Sequence, residues 1–136
     1  MNTTMPKWKQ RTILGLSLVL GLLFLFGGVT KIIGTQMHVD DFTRWQLPQW
    51  FRVVTGLFET SAALLLIVSA RTRFYGAALL AATMTGALIT HLRVHEYGVL
   101  PAPMVFLALA ALVAWIMRPE FVRSRLTLHR HQPHAV

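Results

Sequence analysis

No cysteine occurs anywhere in the 136 residues, which removes thiolate nucleophiles, disulfide exchange and cysteine-ligated iron–sulfur centres from the chemistry this chain can carry. Acidic residues are nearly as scarce, with 5 Asp and Glu against 13 Lys and Arg. Charged residues make up 13% of the chain, about half the ~25% usual in a soluble domain. Catalytic constellations are thin as well. Ser17, Ser61 and Ser69 have no His–acid partner at a spacing that builds a hydrolytic triad. Paired intramembrane haem ligands would need a second histidine facing His91 at similar depth, and no other apolar run contains one. A self-sufficient enzyme is therefore the least supported class.

Hydrophobic residues, in contrast, account for 54% of the chain, and they cluster. Four apolar runs, at 13–33, 51–70, 74–92 and 99–117, are each close to the ~20 residues a helix needs to cross a hydrocarbon core. Lipid offers backbone amides no partner, so runs of this length satisfy them internally as α-helices. One such run could be a buried helix of a soluble protein; four in 136 residues leave too little polar chain to cover them. The fold class expected is an all-α membrane protein, an antiparallel bundle of four transmembrane helices. The basic start followed by an apolar run resembles a signal peptide, but the run outlasts an h-region and no small-x-small cleavage site follows it. A retained helix is expected.

The formal charge of +8 suggests nucleic acid until its distribution is examined. Lys7, Lys9 and Arg11 precede the first span, Arg71 and Arg73 lie between the second and third, and Arg118, Arg123, Arg125 and Arg130 follow the fourth. With four spans, all nine fall on one side. The other side holds Lys31, Arg44, Arg52 and Arg93, offset by Asp40, Asp41 and Glu96. The positive-inside rule then places both termini in the cytoplasm, most simply across a bacterial inner membrane. On this reading the basic ends, 1–12 and 118–136, meet anionic headgroups rather than nucleic acid.

The three-residue link at 71–73 makes the second and third spans antiparallel neighbours. The longest connection, 34–49, carries a short interfacial helix, with Asp40 or Asp41 as its cap, Phe42, Trp45 and Leu47 resting on the interface, and Pro48 ending it. Trp45, Trp50 and Phe51 form an aromatic belt there, with Trp8 and Trp115 as the counterpart at the other surface. Small residues mark the faces that should pack. Ser17, Gly21 and Gly28 share a face with Phe24 and Lys31; Arg52, Thr55, Gly56, Glu59, Ala62 and Ala63 share one on the second span. Ala78, Ala82, Gly86 and Thr90 recur every fourth residue on the third, a stripe that permits close helix contact.

Glu59 is the one acid at the centre of a span. It sits nine residues in, about 13 Å deep at helical rise. A charge at such a position costs about 2.5–3.5 kcal/mol on insertion scales, so it requires a cation, a hydrogen-bonded neutral form or a hydrated cavity. Lys31, Arg52 and His91 all fall in the same half of the membrane. The expectation is a polar pocket built from Lys31, Arg52, Glu59 and His91, open to the outer side; the alternative is an ion-pair network that only sets helix register. His91 and His95 share a helical face and His38 lies in the neighbouring loop, but a firm metal site needs three or four ligands in known geometry, and none is assigned. The same holds for His129, His131 and His134 in the tail.

The segments 21–31 (GLLFLFGGVTK), 45–52 (WQLPQWFR), 56–59 (GLFE) and 86–91 (GALITH), in that order and spacing, resemble the DoxX and DoxX-like membrane proteins over roughly 14–118. The resemblance implies a small four-helix membrane protein and, by the association of some members with thiosulfate:quinone oxidoreductase, an accessory or scaffold subunit of a quinone-linked redox complex. Any quinone contact would fall at the Lys31, Glu59 and His91 pocket, with redox cofactors on a partner subunit; a homo-oligomer is the other assembly to expect. A second reading makes the chain a small proton-coupled transporter or exporter with Glu59 as coupling acid, weakened by the strong charge asymmetry between its two sides.

Overall fold

A computed structural model describes residues 5–119 of the protein. Among the described residues there is no strand, and the elements in chain order are α1 (Lys7–Ile33), α2 (Gln36–Arg44), α3 (Gln49–Val68), α4 (Arg73–Arg93), a 3₁₀ turn (Tyr97–Val99) and α5 (Pro101–Met117). Four of the described helical segments are long and apolar enough to cross a membrane: Lys7–Ile33, Gln49–Val68, Arg73–Arg93 and Tyr97–Met117. Helix α1 begins earlier than its apolar run, carrying Lys7, Lys9 and Arg11 on its first two turns, because nothing between Pro6 and Ile13 breaks a helix. These four helices form the antiparallel bundle, and the chain is an integral membrane protein.

The helices pack in the spatial order α1, α3, α4, α5. Both ends of the described chain lie at one end of the bundle, with the 69–72 connection. The opposite end, called here the loop end, carries α2 and the 94–100 segment. Close approach of α1 to α3 depends on two glycines. A Cβ on Gly56 would lie 2.7 Å from the Gly28 carbonyl oxygen, and one on Gly28 would lie 2.8 Å from that of Gly56. Gly76 plays the same part between α3 and α4, where a Cβ would meet the Ala62 carbonyl at 2.7 Å. Around these contacts the core contains Leu20, Phe24, Ala62, Ala63, Leu66, Ala77, Leu80, Met84, Ala110 and Val113.

The opposite faces are apolar and exposed, with Leu22, Phe26, Leu57, Phe58, Ile89 and Val105 among them. Such a surface has lipid as its natural solvent. The expected packing faces of the first two spans are the observed ones. On α4 the face differs: Gly76, Ala77, Leu80 and Met84 are buried, whereas Ala78, Ala82 and Gly86 are exposed and Gly86 has no neighbour within 4 Å of an added Cβ. Spacing alone marks two small-residue faces on α4, and only its contact with α3 selects between them.

At the tail end of α3, side chains of the next helix close the last turn. Thr72 Oγ1 donates to the Leu65 carbonyl at 2.7 Å and Arg73 Nε to that of Leu66 at 3.3 Å, satisfying carbonyls that a helix end leaves free. At the loop end, α1 stops at Gly34, whose φ of +77° is left-handed and whose N–H returns to the Thr30 carbonyl. The short interfacial helix is present but starts five residues before Asp41. Asp40 and Asp41 lie inside α2 rather than at its start, where Thr35 stands without a side-chain cap bond. Its first turn is closed by His38 and Val39 N–H donating to the Thr35 carbonyl.

Candidate functional site

The loop end contains the polar groups, arranged as two connected clusters. In the first, Lys31 Nζ lies 2.8 Å from Glu59 Oε2, with the carboxylate side chain 4% exposed and the lysine 17%. Lys31 is in the last turn of α1, where the helix dipole favours a cation. Glu59 sits on the buried face of α3, one turn beyond the Gly56 contact that draws the two helices together. Among the described residues this is the ion pair inside the bundle.

Arg52 is buried on the same face of α3 but does not reach Glu59. Its Nη1 donates to the Lys31 carbonyl and its Nε to Gln49 Oε1 at 2.8 Å. The guanidinium thus closes the C-terminus of α1 from the neighbouring helix and lies against Gly34, where a Cβ would come within 3.1 Å of it. Of the four residues expected to form the pocket, Arg52 is the one that backs the site without lining its cavity.

The second cluster centres on Glu96, which sequence reasoning counted only as a loop charge. His91 Nδ1 lies 2.9 Å from its Oε2, Trp45 Nε1 donates to the same oxygen at 3.0 Å, and Arg44 Nε donates to Oε1 at 2.9 Å. Desolvation alone would raise the Glu96 pKa; the hydrogen bonds from His91, Trp45 and Arg44 outweigh it and hold the carboxyl below its ordinary value. One carboxylate therefore ties α2, the end of α4 and the 94–100 segment together. Trp45 packs edge-on against the His91 ring at 5.0 Å between centroids, which turns this tryptophan into the protein, whereas Trp50 and Trp8 are largely exposed. The signal available beforehand was an acid five residues after His91.

The histidines go to separate partners: His38 Nε2 lies 3.2 Å from Thr30 Oγ1, and His95 Nδ1 lies 2.8 Å from Tyr97 Oη. Burial, then the neighbouring Lys31 ammonium, lowers the His38 pKa below its ordinary value. Among the described residues no three His, Cys, Asp or Glu side chains converge as a metal site. The tail histidines 129, 131 and 134 lie outside the described residues.

Between the two clusters is a cavity of about 450 Å³, within the ~300–1,000 Å³ typical of small-ligand pockets. Lys31, Glu59 and His91 line it together with aromatic rings, notably Phe24, Trp45 and Phe106. Phe24 of α1 meets Phe106 of α5 edge-on at 5.1 Å, forming the cavity's inner limit toward the tail end. The small α4 residues Ala82, Gly86 and Thr90 face this cavity, which accounts for a stripe that packs against no helix.

Fold and site together define a small four-helix integral membrane protein with a polar-and-aromatic cavity in one half of its membrane domain. The chain belongs to the DoxX-like family, whose model matches residues 15–113. It is 29% identical over 101 residues to the uncharacterized protein YdgD of Bacillus subtilis (strain 168), a match covering 72% of this chain and 89% of that protein. No solved structure matches the chain.

Proposed function

We propose that this protein is an accessory subunit of a membrane redox complex in the bacterial inner membrane, and that its loop-end cavity holds the head group of a quinone. The observation that carries the reading is the cavity itself. Aromatic and aliphatic walls suit a planar lipid-soluble ring, and the Lys31–Glu59 pair and His91 supply the few convergent polar groups that orient such a ligand. In the tautomer whose Nδ1–H donates to Glu96, His91 presents Nε2 as an acceptor for a quinol hydroxyl. The Lys31 ammonium has donors beyond the one given to Glu59, available to a quinone carbonyl. Electron-carrying centres would reside on a partner; with no cysteine, this chain cannot hold an iron–sulfur cluster by thiolates.

The test uses purified protein in mild detergent titrated with a short-chain ubiquinone analogue while tryptophan emission is followed. Trp45 lines the cavity, so its emission should quench saturably, and Gly86→Phe, which fills the cavity from a position with open space around it, should abolish saturation. Linear quenching identical in both proteins would mean only partition into the detergent and would reject the site. Native mass spectrometry of material extracted from its own membrane tests the subunit role: a co-eluting redox protein is expected, and a bare chain or homo-oligomer opposes it.

A proton-coupled transporter using Glu59 is the second reading, favoured by the access that the cavity gives to Glu59 from one end of the bundle. Glu59-dependent proton flux in proteoliposomes would select it.

A further inference from the structure

Helices α1 and α5 meet at the Phe24–Phe106 contact. Beyond it, toward the tail end, both line a second cleft of about 400 Å³. Its deep part is aliphatic, with Leu16 and Leu112; its rim carries Trp8, Lys9, Trp115 and Arg118. The Arg118 guanidinium stacks on the Trp115 ring, 3.8 Å from the centroid, and its Nε and Nη1 are buried with no hydrogen-bond acceptor among the described residues. Lys9 Nζ lies over Trp8 at 5.5 Å from the ring centroid.

Two guanidinium nitrogens that are shielded from water and lack an acceptor among the described residues suit an anionic oxygen. Among the described residues none of the groups lining this cleft is acidic, and anionic headgroups at the membrane surface are a source of such an oxygen. Below that position an apolar slot lies between two tryptophans of the interfacial kind, which suits a molecule that joins an anionic oxygen to an acyl chain. We propose that this cleft is a binding site for one anionic phospholipid, its phosphate held by Arg118 and Lys9 and an acyl chain lying along Leu16 and Leu112 between α1 and α5. The lipid completes the seam that the protein leaves open. The site lies at the opposite end of the bundle from the candidate quinone cavity and does not depend on it.

The experiment is native mass spectrometry of the full chain released from detergent containing equal amounts of phosphatidylglycerol and phosphatidylcholine. One phosphatidylglycerol should be retained preferentially, and Lys9→Gln/Arg118→Gln should lower that preference roughly 10- to 30-fold, as the loss of two headgroup-facing charges implies. Leu16→Trp, which keeps both charges and fills the slot, should also lose the bound lipid. Arg71→Gln, removing an exposed charge at the same end of the bundle, should leave the preference unchanged. Three results would overturn the proposal: an unaltered preference in the double variant, an equal loss in Arg71→Gln, which would mean diffuse surface charge, or displacement of the lipid by millimolar inorganic phosphate, which would mean an ion site without a lipid slot.

Discussion

At the scale of single residues, the behaviour of Glu59 follows from its burial and its one cationic partner. Glu59→Gln leaves the Lys31 ammonium inside the bundle with no counter-charge, and breaking one side of a buried pair costs about 3–5 kcal/mol. The variant should still insert, because four apolar spans drive insertion, but should unfold at markedly lower SDS fraction than wild type. Lys31→Met/Glu59→Gln removes both charges and should recover most of that stability. A single variant as stable as wild type would show that the pair is hydrated and contributes little.

Glu96 provides a pH-dependent counterpart outside the spans. Its folded-state pKa lies below the ordinary value of 4.5, so its contribution is fully present above 4.5 and is lost as pH falls through the lower folded value. Acidification past that point should release Trp45 from its acceptor and shift its emission. Glu96→Gln should show the shifted emission already at neutral pH and no acid transition of its own. An emission spectrum insensitive to both changes would mean that Trp45 is held by its ring contacts with His91 and Phe42 alone.

At the scale of elements, the Lys31–Glu59 distance is set by how closely α1 and α3 approach. Gly28 and Gly56 permit backbone contact, and a side chain at either collides with the other helix. Gly56→Val should therefore destabilise the bundle by about 1–3 kcal/mol, as overpacking does, and should separate the ion pair and weaken any ligand that uses it. Thermal unfolding in detergent, with and without ligand, reads both effects. The short helix α2 is amphipathic and docks Phe42 into the protein, and Arg52 joins the end of α1 to α3 through the Lys31 carbonyl. These contacts explain why the polar residues concentrate at the loop end: that end must hold a helix terminus, a surface helix and a reversing segment together, and each leaves backbone groups needing partners.

At the scale of the whole molecule, the lopsided distribution of Lys and Arg predicts an orientation with the tail end in the cytoplasm. Because the chain has no native cysteine, single substitutions report on sidedness directly. In intact cells a membrane-impermeant maleimide should label Asp40→Cys at the loop end, and should label Arg71→Cys at the tail end only after permeabilisation. The opposite pattern would invert the proposed topology and place the cavity toward the cytoplasm.

Periodicity and composition by themselves determined the four spans, the common end at which the first span starts and the last one stops, the inward faces of α1 and α3, and the need of Glu59 for a partner in its half of the membrane. Each follows from a one-dimensional cause: hydrocarbon thickness sets span length, helical repeat sets which residues share a face, and a buried acid needs a cation, a hydrogen-bonded neutral form or a hydrated cavity. Tertiary structure decided what those causes leave degenerate. It chose Gly76 and Ala77 over Ala78 and Ala82 as the packing face of α4, because two stripes of small residues are equivalent until a partner helix arrives. It sent Arg52 to a carbonyl of α1 rather than to Glu59, since a buried guanidinium goes to whichever acceptor the helix crossing brings nearest. It also gathered Glu96, His91, Trp45 and Arg44 from three segments into one cluster, a convergence that exists only once the loops have folded back over the helix ends.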